Sequence, residues 1–581
     1  MSILASLVKA YERMDNAPAR GFSAERIGFV ISLNDDGTPV NVTDLRDDQG
    51  RKKIARLMQV PQPPKRTSAI APNFLWDKTS YSLGITAGEG KRVSEEHAAF
   101  TNHHLQVLKN EDDAGLKALC LFLRSWTPDR FSNLGWPEDM KDQNVVFALE
   151  RDRRRNIFIH DRVASKAAWA AQLSNNNKAE AVCLVAGKRS VIARLHPAIK
   201  GVWGAQSSGA SIVSFNLDAF ASYGHEQGDN APISEQAAFA YTTALNTFLQ
   251  GKKNRIQIGD TTTVFWADAS SVELEAEAEG IFAAWLCDVD ERREAKKIAA
   301  ILEQVRRGQP LKEFAPGLEE GVRFHVLGLA PNASRLSIRF WLEDDFGTIE
   351  KNFLRFVSDM RIEPSSRDPA PALWKYLAET AVLGKRENVP PNLAGEWMRA
   401  ILSGTPYPLT LLSTVLMRLR ADKNVSALRV GILKSLLIRN LGKEAPVSLD
   451  PENSNKGYLL GRLFATYEHA QFAAALGSRI NATIKDKFYG AASAQPRRVF
   501  ALLEKGSANH LSKLGKKKPG YRVVLERAIA AIMASMAPAD DPFPASLSAE
   551  EQALFGLGYY HQRNEFFKPK KNESTTEEDA A

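Results

Sequence analysis

The stretch GVWGAQSSGAS, residues 201–211, sets Gln206, Ser207 and Ser208 between Gly204 and Gly209. Glycine tolerates left-handed backbone and lets another chain come close. Such a loop suits a phosphate, a nucleotide, a base edge or simply the rest of the fold. It lacks the GK[ST] ending whose lysine reaches nucleotide phosphates, and it lacks GxGxxG spacing. His160-Asp161 forms an HD pair of the kind some metal-dependent hydrolases use. A metal site needs further ligands at supporting positions, and the 10 scattered histidines supply no obvious set. Asp161 also precedes VASKAAW, where it suits a helix N-cap. His103-His104 falls in a helical pattern, and Asp344-Asp345 and Asp288/Asp290 read as solvated turn or helix faces. No GxSxG or HExxH motif occurs. The expectation is a binding protein without catalysis, cofactor or metal. The competing reading is a metal-dependent nuclease using His160 and Asp161.

Basic residues recur in two regions. Arg418, Arg420, Arg429, Lys434 and Arg439 lie close together, followed by Lys485, Lys487, Arg497, Arg498 and the run Lys516, Lys517, Lys518. Lys52, Lys53, Lys65 and Arg66 flank an early proline-rich stretch. These charges form either solvated faces or grooves that track nucleic-acid phosphates. A net charge of +8 over 581 residues permits nucleic-acid binding without requiring it. Cys120, Cys183 and Cys287 are far apart in apolar contexts, which favours reduced, buried thiols and a cytoplasmic setting. No apolar run reaches the length of a membrane span, and the first 20 residues do not read as a signal peptide.

Apolar periodicity places these residues on elements. Strands are expected at 27–33, 145–149, 156–160, 181–187, 190–195, 211–217, 261–267, 324–329 and 335–341. Helices are expected at 1–20, 95–110, 114–126, 163–174, 234–254 and about 347–359. Residues 52–76 read as an extended surface segment, and 272–313 as a charged helical insertion. The proline-rich segment 361–371 reads as a linker. From 372 to 567 every periodic segment is helical, and 568–581 is polar low-complexity tail. The fold class is α+β: a mixed α/β region over 1–360 with antiparallel strands, followed by an all-helical bundle.

Long blocks carry a resemblance. NFLWDKTSYSLG (73–84), IARLHPAIKGVWGAQSSGASIVSFN (192–216), NAPISEQAAFAYTTALN (230–246), VLGLAPNASRLSIRFW (326–341), YLLGRLFATYEHAQ (458–471) and NATIKDKFYGAASAQPRRVF (481–500) resemble the large subunit of the type I-C CRISPR effector complex, Cascade. The resemblance implies recognition of the protospacer-adjacent motif (PAM) on double-stranded DNA. It also implies help in opening the duplex, a hold on the displaced strand, and recruitment of a helicase-nuclease in trans. The implied partners are guide RNA (crRNA), target DNA, the Cascade backbone and 5′-end-binding subunits, and small subunits made from the same gene. The helical part resembles a fused small subunit. Within that frame, Gln206, Ser207 and Ser208, with Asn73, Lys78, Thr79 and Ser80, are the candidate PAM readers, since Asn and Gln suit adenine edges and Lys suits guanine. Lys52, Lys53, Lys65 and Arg66 are candidates for duplex backbone. The twelve basic residues from Arg418 to Lys518 named above are candidates for the displaced strand.

Overall fold

The computed structural model describes residues 2–14, 17–18, 21–49, 52–64, 66, 70–174, 180–251, 253–286, 309–310, 313, 316–318, 321–368, 371–536 and 541–568. The chain divides into two compact units, residues 1–198 with 213–247, and residues 199–212 with 248–581.

In the first unit, β1 (Phe22–Ile27) pairs antiparallel with β6 (Arg56–Pro61). A four-stranded sheet has the order β3 (Pro39–Asp44), β2 (Phe29–Leu33), β8 (Asn144–Leu149), β7 (Trp76–Lys78). β2 and β8 run parallel; the other pairs are antiparallel. FVISL and VVFAL are nearly continuous apolar runs because both faces of these central strands are covered. Phe29, Ile31, Val145 and Phe147 pack with Phe100, Leu119 and Phe122 from the helices Val93–Val107 and Ala114–Ser125. Val30, Val146 and Ala148 meet Ile27, Val60 and Phe158 on the other face. Two small hairpins complete the strands: β4 (Asp47–Gln49) with β5 (Lys52–Ile54), and β9 (Glu180–Val182) with β10 (Arg189–Val191).

Four expected strands change: 190–195 pairs only to Val191, with an isolated bridge at Ile192. Residues 156–160 form no ladder: Asn156 turns left-handed at φ +54°, and Ile159–Asp161 is a short 3-10 turn. Phe158 and Ile159 are instead buried in the two separate cores. Residues 181–187 stop pairing at Val182, where Gly187 N–H bonds back to Cys183 O at 2.8 Å. In 211–217 only Ser211 forms a bridge. Conversely, 52–61, part of the stretch read as an extended segment or loop on the surface, is laddered in β5 and β6.

The second unit holds an antiparallel meander, β11 (Arg255–Ile258), β12 (Thr261–Asp268), β13 (Arg323–Asn332), β14 (Arg335–Asp345). Gly328 is required where a Cβ would meet the Phe340 ring at 2.4 Å. Phe265, Phe324, Val326 and Phe340 face a core shared with the helices Val272–Leu286, Phe346–Met360 and Pro391–Ser403. That core continues without interruption to Phe555 and Tyr559. The expected linker is pinned: Ile362 is buried, Glu363 N–H bonds to Val447 O at 2.8 Å, and Tyr560 Oη–H donates to Pro364 O at 2.6 Å. The compact units thus divide elsewhere than at 361–371. The insertion expected over 272–313 is helical over Val272–Leu286, while 287–308 and the tail 569–581 lie outside the described residues.

The helices Leu373–Ala378, Pro391–Ser403, Leu409–Asp422, Ala427–Leu441, Lys456–Ala475, Ile484–Ala494, Phe500–Gly515 and Pro519–Ala534 build the remainder with a final helix, Ala549–Glu565. The final helix escapes periodicity because residues 553–562 are all buried, so no polar stripe marks it. Its start carries a capping box, Ser548 with Glu551. It crosses Lys456–Ala475 at near backbone contact: a Cβ on Gly461 would stand 2.1 Å from Phe555 O, and one on Gly558 2.1 Å from Tyr458 O. Gly461→Ala is therefore expected to destabilise the protein by about 1–3 kcal/mol through overpacking. Gly506→Ala, in a helix with nothing within 4 Å of the new methyl, is expected to be neutral or stabilising by up to about 1 kcal/mol. Urea unfolding of both variants checks the pair; a harmless Gly461→Ala contradicts the close crossing.

Candidate nucleic-acid interface

Ile199 and Ala210 close the glycine-serine loop with reciprocal backbone bonds of 2.8 and 2.9 Å. Inside it, Ala205 N–H donates to Val202 O (3.2 Å) and Gly209 N–H to Gln206 O (2.9 Å), making two successive tight turns. Gly201, Gly204 and Gly209 hold φ of +94°, +76° and +94°, which other residues resist. The base of the loop is tied to the meander. Trp203 N–H donates to Thr262 Oγ1 at 3.0 Å, the Arg255 guanidinium donates to Gly201 O at 3.4 Å, and Ser211 bridges β14 at Arg335. The tip is left in solvent: Gln206, Ser207 and Ser208 are exposed, and Trp203 is 65% exposed. A fixed backbone thus presents one amide, two hydroxyls and one indole. The indole was missed in the sequence; an aromatic residue between two glycines of a polar loop was the available signal.

The block at 73–82 serves a different end. Asn73 is buried, its Oδ1 accepts from Arg66 at 2.9 Å, and its N–H donates to Asp77 Oδ2 at 2.8 Å. Asp77 is wholly buried and ion-paired with Arg66, whose guanidinium lies 4.0 Å from the Tyr81 ring centroid. Thr79 is buried and accepts the Asp142 N–H at 2.8 Å. His104 accepts from Leu75 N–H at 2.8 Å, which holds Leu75 at φ +64°. Burial pushes the His104 imidazole down to about 3, so it stays neutral. Asn73 and Thr79 as base readers are therefore corrected: their polar groups are consumed in folding the segment, whereas Arg66 is exposed yet ion-paired with Asp77. Of this block Lys78 is exposed and Ser80 half-buried. Lys53 pairs with Asp44 at 2.9 Å. Lys65 and the Lys52 side chain lie outside the described residues.

The basic residues of the helical part separate into two groups. Arg429 is buried and pairs with Glu379 (2.8 Å) and Asp422 (2.6 Å); Arg418 pairs with Asp422 at 3.3 Å. Lys434 Nζ donates to Asp359 O at 3.0 Å, and burial lowers its pKa. Arg439 sits 3.6 Å from the Asp359 carboxylate and 4.7 Å from the Tyr407 ring centroid. These four cations belong to the interior, which corrects their placement along a displaced strand. Arg420, Lys487, Arg498 and Lys516, Lys517 and Lys518 are exposed, and Lys485 is half-buried. Arg497 is exposed yet paired with Asp541. Arg420 lies alongside Gly490, and Lys423 acts electrostatically on Asp486, so both meet the helix that carries Lys485 and Lys487. Lys423, unforeseen, holds the left-handed C-cap of Leu409–Asp422 at φ +55°.

His160 is buried, stacks on Phe158 at 5.6 Å, and is pushed down to about 4 by burial. Asp161 accepts from Phe158 N–H at 3.3 Å. His160 thus packs into the core while the half-buried Asp161 closes the turn beside it, and among the described residues no three His, Cys, Asp or Glu side chains gather as a metal site. Cys183 is buried and Cys120 half-buried, both free; Cys287 lies outside the described residues. No helix among the described residues is long and apolar enough to cross a membrane. Arg429→Ala removes a buried guanidinium, takes the ion partner from Glu379 and leaves Asp422 with Arg418 alone; it is expected to cost about 3 kcal/mol, whereas Lys517→Ala is expected to fall within about 0.5 kcal/mol of the parent. Denaturant unfolding checks the contrast, and equal stabilities contradict the division into interior and surface cations.

A family model described as CRISPR-associated protein (Cas_Csd1) matches residues 7–567. No curated protein matches the chain. With nearly its whole length inside that match, the chain belongs to the CRISPR-associated Cas_Csd1 family.

Proposed function

We propose that the chain is a non-catalytic large subunit of a type I-C CRISPR surveillance complex. In this reading guide RNA pairing reads the target and the protein reads only the PAM, then helps open the duplex and recruit the helicase-nuclease. The observation that carries the proposal is the loop 203–208. Its backbone is fixed at both ends while Gln206, Ser207 and Ser208 stand in solvent. A reading loop needs that combination, because ordering a floppy loop on binding would consume affinity. Lys78 and Ser80 remain as further candidate contacts. The displaced strand is assigned to the surface cations Arg420, Lys423, Lys485, Lys487, Arg498 and Lys516–Lys518, with phosphate contact as the main attraction.

In the assembled complex, Gln206→Ala is expected to weaken binding to PAM-bearing targets by about 1–3 kcal/mol and leave targets without the motif unchanged. Equal losses on both target types, measured by titration, would reject Gln206 as a reader. Replacing Lys516, Lys517 and Lys518 together by Ala is expected to weaken binding to every sequence and to flatten its dependence on salt. An unchanged salt slope would return those lysines to a plain solvated face. Incubating the purified chain with labelled DNA and magnesium or manganese is expected to give no cleavage; cut product would revive the nuclease reading.

A further inference from the structure

Directly behind Trp203 lies a cavity of about 310 Å³ whose lining includes Trp203, Trp374, Ile256, Ile258, Leu373 and Leu377. Its size is at the small end of ligand pockets. The four aliphatic side chains are buried and form an apolar floor, Trp374 is half-buried, and Trp203 is exposed. Gln257 and Glu387, both exposed, supply polar groups to the lining. The wall is rigidly joined to the loop. Trp203 N–H donates to Thr262 Oγ1 (3.0 Å), Thr262 Oγ1–H donates to Gln257 Oε1 (2.9 Å), and Gln257 Nε2–H donates to Gly259 O (2.9 Å).

We propose that this cavity takes one unpaired nucleobase, stacked on Trp203. A nucleobase has apolar faces and polar edges, which matches an aromatic and aliphatic slot with an amide and a carboxylate beside it. On the loop side of the cavity, Trp203 is flanked along the chain by Gly201, Gly204, Gln206, Ser207 and Ser208, all exposed. These residues are small or polar, which suits an occupant with polar edges. Opening of a duplex beside the loop would supply the base, so the inference rests on the reading that this loop meets DNA. It adds a capture site for a base once pairing is broken, distinct from reading the paired motif.

The test uses the full chain assembled with guide RNA and its partner subunits. 2-Aminopurine, a fluorescent base quenched by stacking, is placed singly at each of the first several opened positions of the target. One position is expected to be quenched in the parent complex and bright in Trp203→Ala. That variant is also expected to hold pre-opened, bubble-containing targets about tenfold or more weakly than the parent does. Trp203→Phe, which keeps a stacking face, is expected to restore most of the quenching. Identical fluorescence in parent and Trp203→Ala at every position overturns the inference, as does loss of a protein subunit from the Trp203→Ala complex with DNA readout unchanged. A Gln206→Ala complex that loses PAM selectivity alongside an indifferent Trp203→Ala separates failure of the pocket from failure of the loop.

Discussion

Asp359 ends the helix that follows the meander, and it draws Lys434 and Arg439 from Ala427–Leu441 into the interior. Beside it, Gly431 lets that helix approach so closely that a Cβ would stand 2.8 Å from Met360 O. The remaining organisation of the second unit follows from this junction. Charges taken out of water are tolerated only while their partners stay in place, so the meander and the helices behind it are held in one arrangement. Their apolar faces then merge into a single core that reaches from Ile256 to Tyr560. A proline-rich segment that would otherwise link two bodies is instead bonded down along its path.

Rigidity of this kind has a use at the loop. A recognition element gains most when its conformation exists before the partner arrives. The loop's left-handed glycines supply the shape, while Thr262 and Arg255, from strands of the buried meander, hold it there. The chain therefore spends its internal hydrogen bonds on the loop's backbone and leaves the side chains at the tip unburied. The same logic sorts the cations. Those opposite Asp359, Asp422 and Glu379 maintain the scaffold; those on helix surfaces and at the turn 516–518 are free to meet phosphates.

Local pattern carried much of the fold. The helix expected over 163–174 is found at Val163–Ser174, and the apolar runs of β2, β8, β12, β13 and β14 mark real strands. What pattern could not carry was information held by distant partners. Nothing near Lys434 announces a carbonyl 75 positions earlier, so an interior lysine and a surface lysine look alike in the chain. Asn73 resembled a base reader until Arg66 and Asp77 claimed its polar atoms. The final helix, buried on all sides and studded with glycine, had no polar face to betray its period. The loop at 201–211 was legible because its glycines act locally, yet its exposure and its ties to Thr262 and Arg255 required the fold.

The most direct measurement is site-specific photocrosslinking from position 207, at the tip of the loop, in the complete guide-loaded complex bound to target DNA. Crosslinks from that position are expected to fall on DNA at the motif and the adjoining first opened base pairs, and to vanish when the target lacks the motif. Crosslinks that go only to protein or to guide RNA, and remain the same with and without the motif, would contradict a DNA-reading loop.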